Sequence, residues 1–126
     1  MTLSVERSSV CAGDDLDAPH TESVRVPAEA TLAEVLQIVR DNRYLAWISG
    51  GKATWIVESD RPIAVMAQQW SEPRFLTDPA GAIASCILEN SSRQLFFVYW
   101  CQVDPTLVYN CLVAGKPLPD KHGIKR

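Results

Sequence analysis

A capped amphipathic helix stands between two sets of strand-like segments, and this order limits the chain to folds that combine helices with a sheet. Thr31 followed by Glu34 is a capping box, in which each side chain binds a backbone amide that the first helical turn leaves open. Apolar residues then recur at helical spacing, at Leu32, Val35, Leu36 and Val39. The pattern predicts a helix over 31–42 with one buried stripe.

Two short strand-like segments precede this helix and enclose an acidic stretch. Residues 2–10 alternate loosely between apolar and polar, and residues 23–26 do so before Pro27 ends the pattern. Between them, AGDDLDAPHTES contains a glycine, a proline and three aspartates, which predicts a solvated loop. We expect the two strands to pair as a hairpin around this acidic loop.

Turn sequences divide the chain after the helix into further strand-like segments. Three of them predict a meander, at 44–48, 54–57 and 63–69. Their apolar residues do not alternate cleanly, which indicates that both faces are at least partly covered. Two more segments, at 83–88 and 95–101, flank a polar loop and predict a second hairpin.

A second helical pattern lies near the end of the chain. Asp104 followed by Pro105 is a helix start signal, and Gly115 is a typical helix terminator. We favour a helix over 105–114, although the β-branched Val108 and Val113 leave a strand as an alternative.

The order of these elements predicts an α+β fold, in which an antiparallel sheet carries one or two helices packed on one face. The opening hairpin and the capped helix resemble the start of a β-grasp (ubiquitin-like) fold. A chain of 126 residues fits one domain, which we place at 1–115. The basic residues 116–126 have little to bury, and we expect them to form a flexible tail.

Charge and cysteine content narrow the cellular setting and the partners. Residues 1–115 carry a balance of −6 and residues 116–126 a balance of +3. An acidic body repels a phosphate backbone, so nucleic acid is disfavoured and a basic protein partner is favoured.

No apolar run approaches the roughly 20 residues that span a bilayer. Four cysteines without a CxxC pair indicate free thiols, and we expect a cytoplasmic protein that does not bind membranes.

Residues that could support catalysis or hold a metal are sparse. The two histidines, His20 and His122, lie in segments that we expect to be flexible, which is a poor setting for general base catalysis. The chain contains no GxSxG, HExxH or phosphate-binding loop motif. The acidic loop departs from the ligand spacing of a calcium site. The sequence therefore predicts no enzyme activity, no metal site and no cofactor.

Two segments carry candidate partner-binding residues. Carboxylates of the acidic loop can meet lysines and arginines of a partner and raise its rate of association. The turn around Trp70 closes a strand, and tryptophan is enriched at energetic centres of interfaces. A tryptophan folded back over the sheet edge is the alternative interpretation. The predicted partner-binding residues are Asp14, Asp15, Asp17, Glu22, Gln69, Trp70 and Glu72.

The segment YLAWISGGKATWIVESDRPIAVMAQQW, residues 44–70, preceded by the capped helix, resembles the immunity proteins of bacterial polymorphic toxin systems, including contact-dependent growth inhibition. The resemblance implies a cytoplasmic protein that binds a cognate toxin domain, often a basic nuclease, and blocks its active site or an essential surface. The acidic loop would then occupy the groove meant for phosphates. The alternatives are a small-ligand carrier and a phage or secretion accessory adaptor subunit without catalysis, and the oligomeric state stays open.

Overall fold

The described residues form a mixed sheet of six strands with two helices, which confirms the predicted α+β class. The computed structural model describes residues 2–7, 21–27, 29–42, 45, 52–84 and 94–119. The strands are β1 (Thr2–Arg7), β2 (Thr21–Arg25), β3 (Thr54–Glu58), β4 (Pro62–Ala67), β5 (Arg74–Phe75) and β6 (Gln94–Tyr99). The helices are α1 (Leu32–Asp41) and α2 (Pro105–Ala114).

The strands lie in the order β2-β1-β6-β3-β4-β5. The predicted hairpin β1–β2 and the predicted pairing of β3 with β4 are both confirmed. The sheet differs from the all-antiparallel prediction at its centre, where β6 runs parallel to β1. A parallel pair needs a long connection between its strands, and here most of the chain lies between them. The hairpin followed by a helix, on which the β-grasp resemblance rests, is present.

The second predicted hairpin is not formed as the sequence suggests. Residues 95–101 largely coincide with β6, but its neighbours in the sheet are β1 and β3. Ile83 and Ala84, the described part of the predicted strand 83–88, have helical backbone. Of the predicted strand 44–48, all but Leu45 lies outside the described residues. The two-residue β5, which pairs with β4, has no counterpart in the sequence prediction.

Helix α1 begins with the predicted capping box. The Glu34 amide donates to the Thr31 hydroxyl oxygen at 3.2 Å, and the Thr31 amide donates to the Glu34 carboxylate at 3.2 Å. The four residues of the predicted apolar stripe are all fully buried, namely Leu32, Val35, Leu36 and Val39. They pack on one face of the sheet in the main hydrophobic cluster, so the cap fixes the start of a helix that the core then holds in place.

Removing the side-chain oxygen of this cap tests its contribution to stability. We expect Thr31→Ala to lower the free energy of unfolding by about 1 kcal/mol, because one open amide of the first turn loses its partner. Urea denaturation followed by circular dichroism measures the change. Thr31→Ser keeps the acceptor oxygen and serves as the control, and an equal loss in both variants would contradict the assignment.

Helix α2 lies on the face of the sheet opposite α1, which corrects the prediction that the helices share one face. Along β3, Trp55 and Val57 join the cluster under α1, whereas Ile56 points the other way and packs with Val65 and Val108. The alternation of side chains along a strand makes this two-sided burial possible. Both faces of the central strands are therefore covered, as their continuous apolar runs predict.

The helical interpretation of residues 105–114 is confirmed. The Asp104 carboxylate accepts a hydrogen bond from the Thr106 amide at 3.0 Å and caps the start of α2. Gly115 ends the helix with a left-handed backbone, at a φ of 66°. The chain then returns to the sheet, where Leu118 packs beside α2 and the Trp100 indole donates to the Pro119 carbonyl at 2.9 Å.

Candidate functional site

Helix α2 covers β4 on one face of the sheet. On the same face, the other half of the sheet, formed by β2, β1 and β6, carries polar side chains. The register identifies these residues, because side chains opposite each other on neighbouring strands share a face. Ser4 lies opposite Ser23 and Gln94, and Glu6 lies opposite Thr21 and Phe96. We call this surface the polar face, and it consists of Thr2, Ser4, Glu6, Thr21, Ser23, Arg25, Gln94 and Phe96, together with Glu58 at the end of the neighbouring β3.

A carboxylate, an aromatic ring and a second carboxylate form a row across the polar face. Phe96 on β6 lies opposite Glu6 on β1 and opposite Glu58 on β3. Residues opposite each other on paired strands are neighbours on one face, so Glu6 and Glu58 are the residues on either side of Phe96. Phe96 is partly exposed and belongs to neither of the hydrophobic clusters that the described residues form. Its ring is therefore available for contact outside the core.

The two carboxylates of this row differ in their surroundings. The Gln94 side-chain amide donates to the Glu6 carboxylate at 3.3 Å, which restricts the orientation of that carboxylate. Glu58 follows an irregularity in the β3–β4 register and is half-buried. Burial raises the pKa of Glu58 above its ordinary value. Within the described part of the chain, no hydrogen bond or ion pair offsets this desolvation.

The row suits one kind of ligand group, the ammonium of a lysine or the guanidinium of an arginine. Such a cation is attracted to the face of an aromatic ring and forms strong hydrogen bonds with carboxylates. A half-buried carboxylate without a partner gains most from such a cation, because the cation offsets a desolvation cost that folding has already incurred. The row is therefore chemically suited to binding a basic side chain.

The burial of Glu58 gives a testable dependence of stability on pH. Because burial raises the pKa of Glu58 in the folded state, the ionised form destabilises the fold as pH rises from the ordinary value of 4.5 through the raised value. We expect Glu58→Gln to melt at a higher temperature than the parent protein at pH 7. The gain should shrink as pH falls through the raised pKa towards 4.5 and be lost well below 4.5, where glutamate is neutral in both states. Thermal denaturation between pH 3.5 and 8 measures it, with Glu29→Gln as the exposed control.

The structure separates the residues that the sequence predicts to bind a partner. Asp14, Asp15 and Asp17 lie outside the described residues. Glu22 is exposed on β2, but it lies opposite Val5 and therefore faces the α1 side. Gln69, Trp70 and Glu72 lie together in the turn after β4, four strand positions from β2. At about 4.8 Å per strand this is a separation of about 19 Å, so the two groups do not form one compact site.

Trp70 folds onto the sheet rather than projecting away from it. It is partly buried and packs against the cluster under α2. The Arg74 guanidinium lies over its ring, with the central carbon 4.4 Å from the ring centroid. Its neighbours Gln69 and Glu72 are exposed. The exposed residues of this turn are Gln69, Ser71 and Glu72, and Trp70 lies beneath the exposed Arg74 of β5.

Sequence reasoning missed Glu6, Glu58, Phe96 and Arg74. The first two are single acidic residues in strands, and Phe96 precedes the buried Phe97 in a continuous apolar run. Strand alternation could have shown that Phe96 and Phe97 face opposite sides. The pairing register that joins β1, β6 and β3 is needed to place the two carboxylates beside Phe96.

The described residues also bear on two further features, a metal site and a membrane-spanning helix. Among the residues that the structure describes, no three His, Cys, Asp or Glu side chains are grouped so that they could hold a metal ion. None of the described helices is both long and apolar enough to cross a membrane.

Comparison with known proteins identifies no relative. No protein-family model, no curated protein and no solved structure matches this chain.

Proposed function

We propose that this protein is an inhibitor of the immunity type, which binds a cognate basic toxin domain in the cytoplasm and neutralises it. The observation that supports this most directly is the row of Glu6, Phe96 and Glu58 on the polar face. A basic toxin of the nuclease type exposes lysines and arginines that bind phosphates. One of these side chains can lie against the Phe96 ring between the two carboxylates, where it no longer reaches its substrate.

Long-range electrostatics support the same kind of partner. The charge balance of −6 over residues 1–115 attracts a basic protein and accelerates its association.

The area of the polar face limits its share of such an interface. Three strands of about six residues each form a surface of about 14 Å by 20 Å, or roughly 290 Å². A stable interface buries about 800 Å² on each partner. The polar face would therefore form the centre of the interface, and the partner would also contact surfaces around it.

Co-expression with the proteins encoded by neighbouring genes, screened for one that arrests growth, tests the proposal. Cells that express the toxin domain alone should stop growing, and cells that also express this protein should grow. The purified pair should elute as a 1:1 complex in size-exclusion chromatography with light scattering. Continued growth arrest together with separate elution of the two proteins would overturn the proposal.

An accessory adaptor subunit is the second candidate, and the composition of α2 favours it. This helix contains no charged residue, and Leu107 and Val113 are 48% and 62% exposed on its surface. Uncharged apolar helix surfaces are typical of contacts between subunits. A homo-oligomer of the isolated protein that Leu107→Glu dissociates, with no toxin complex, would support the adaptor instead.

A further inference from the structure

Arg74 holds its charge in a fixed place on the protein surface. Its guanidinium carbon lies 4.4 Å from the centroid of the Trp70 ring and 5.9 Å from that of the Tyr109 ring. The Tyr109 hydroxyl donates to the Phe75 carbonyl at 3.0 Å, which ties α2 to β5 and fixes the second ring. Arg74 itself is exposed. Two rings from separate elements therefore restrict a side chain that would otherwise move freely in solvent.

The Arg74 guanidinium donates no hydrogen bond to any other residue that the structure describes. Within the described residues no carboxylate forms an ion pair with Arg74, and the neighbouring Glu72 is exposed without a bond to it. A guanidinium carries five N–H donors, and one stacked on a ring directs them outward along its edge. A planar carboxylate accepts two such donors in parallel. Restricting the arginine in advance lowers the entropy lost on binding.

We propose that Arg74, stacked on Trp70 and Tyr109, is an anchor for a carboxylate of a protein partner, an aspartate or glutamate side chain. A polyanion such as nucleic acid is disfavoured as the occupant, because the balance of −6 over residues 1–115 repels a chain of phosphates. A single carboxylate on a basic protein surface meets no such barrier.

This anchor complements the polar face and extends the proposed function. Arg74 lies opposite Val65, whose side chain packs under α2, so the anchor is on the same side of the sheet as Glu6 and Glu58. On this side of the sheet Arg25 on β2 and Arg74 on β5 lie near the two ends, and the carboxylates of Glu6 and Glu58 lie between them. A partner that contacts both Arg74 and the carboxylates must therefore present acidic and basic groups side by side. The carboxylate anchor does not depend on the partner being a toxin.

A peptide titration tests the anchor without any toxin. The probe is the capped peptide Ac-Asp-Glu-Asp-NH2, added to the full-length protein labelled with nitrogen-15 at the arginine side chains. We expect the Nε–H resonance of Arg74 to shift in a saturable manner. Isothermal titration calorimetry gives the peptide affinity of the variants, because Arg74→Lys lacks that resonance. This variant keeps the charge and loses the planar donor pair, and it should bind the peptide about tenfold more weakly. Arg25→Lys, at an exposed arginine on β2, should change the affinity less than twofold.

Controls distinguish this result from a general attraction between charges. The amide peptide Ac-Asn-Gln-Asn-NH2 should not shift Arg74, and inorganic phosphate should shift it only at higher concentration than the acidic peptide. Equal peptide affinity for the parent protein and Arg74→Lys would overturn the proposal. So would an equal loss in Arg25→Lys, or stronger binding of phosphate than of the peptide. Thermal denaturation of both variants confirms that each is folded.

Discussion

Replacing Phe97 with alanine is expected to lower the free energy of unfolding by about 3–5 kcal/mol. Phe97 is 1% exposed and lies on β6 at the centre of the sheet, opposite Arg7 on β1 and Val57 on β3. Truncation leaves a cavity that strands on both sides cannot close by moving. Because a domain of this size is stable by only about 5–15 kcal/mol, much of the total would be lost. Urea denaturation measures the difference.

The adjacent Phe96→Ala is the matched control for this prediction. It removes the same ring from the same strand, but Phe96 is partly exposed and outside both hydrophobic clusters of the described residues. We expect the loss to be less than half of that for Phe97→Ala. Equal losses would contradict the assignment of the two rings to opposite faces, and with it the availability of Phe96 for a partner.

The double substitution Glu6→Gln with Glu58→Gln is expected to weaken binding of a basic toxin domain at least about a hundredfold. Removing one member of a desolvated charge pair across an interface costs about 2–5 kcal/mol, mostly through faster dissociation. Glutamine keeps the shape of the side chain, so the change isolates the charge. Isothermal titration calorimetry or surface plasmon resonance at two salt concentrations measures the affinity.

Two features make this binding experiment decisive. Glu58→Gln is expected to stabilise the protein at neutral pH, so weaker binding by the double variant would not result from unfolding. The control is Glu22→Gln with Glu72→Gln, which removes two exposed acids that the sequence predicts to bind a partner. If the control variant loses more affinity than the Glu6→Gln, Glu58→Gln variant, the interface lies at Glu22 and Glu72 rather than at the polar face.

Local signals in the sequence predicted the elements that local interactions define. The capping box at Thr31 and the helix end at Gly115 are confirmed, because a few neighbouring residues determine each. The position of β6 between β1 and β3 was not predicted, since it depends on contacts between residues far apart in the chain. The side of the sheet that α2 covers depends on the same long-range packing.

The same distinction between local and long-range interactions applies to the residues of the candidate site. The exposure of Glu22, Gln69 and Glu72 follows from their local sequence, as expected for polar residues at an edge or in a turn. Phe96 resembles a core residue in the sequence, and only the register of three strands places it between two carboxylates. The stacking of Arg74 on Tyr109 likewise requires the packing of α2 against the end of the sheet.

The parallel pair of β1 and β6 has a consequence for how the protein reaches its native state. Strand β6 joins the β2–β1 hairpin to the β3–β4–β5 portion, so the sheet is complete only when a late segment inserts between two earlier ones. Closing a loop that long is slow compared with forming a helix or a hairpin. On the ribosome, β1 and β3 would each present an open edge until residues 94–99 emerge. Nascent chains are therefore most prone to aggregate in that interval, before any partner surface on the sheet exists.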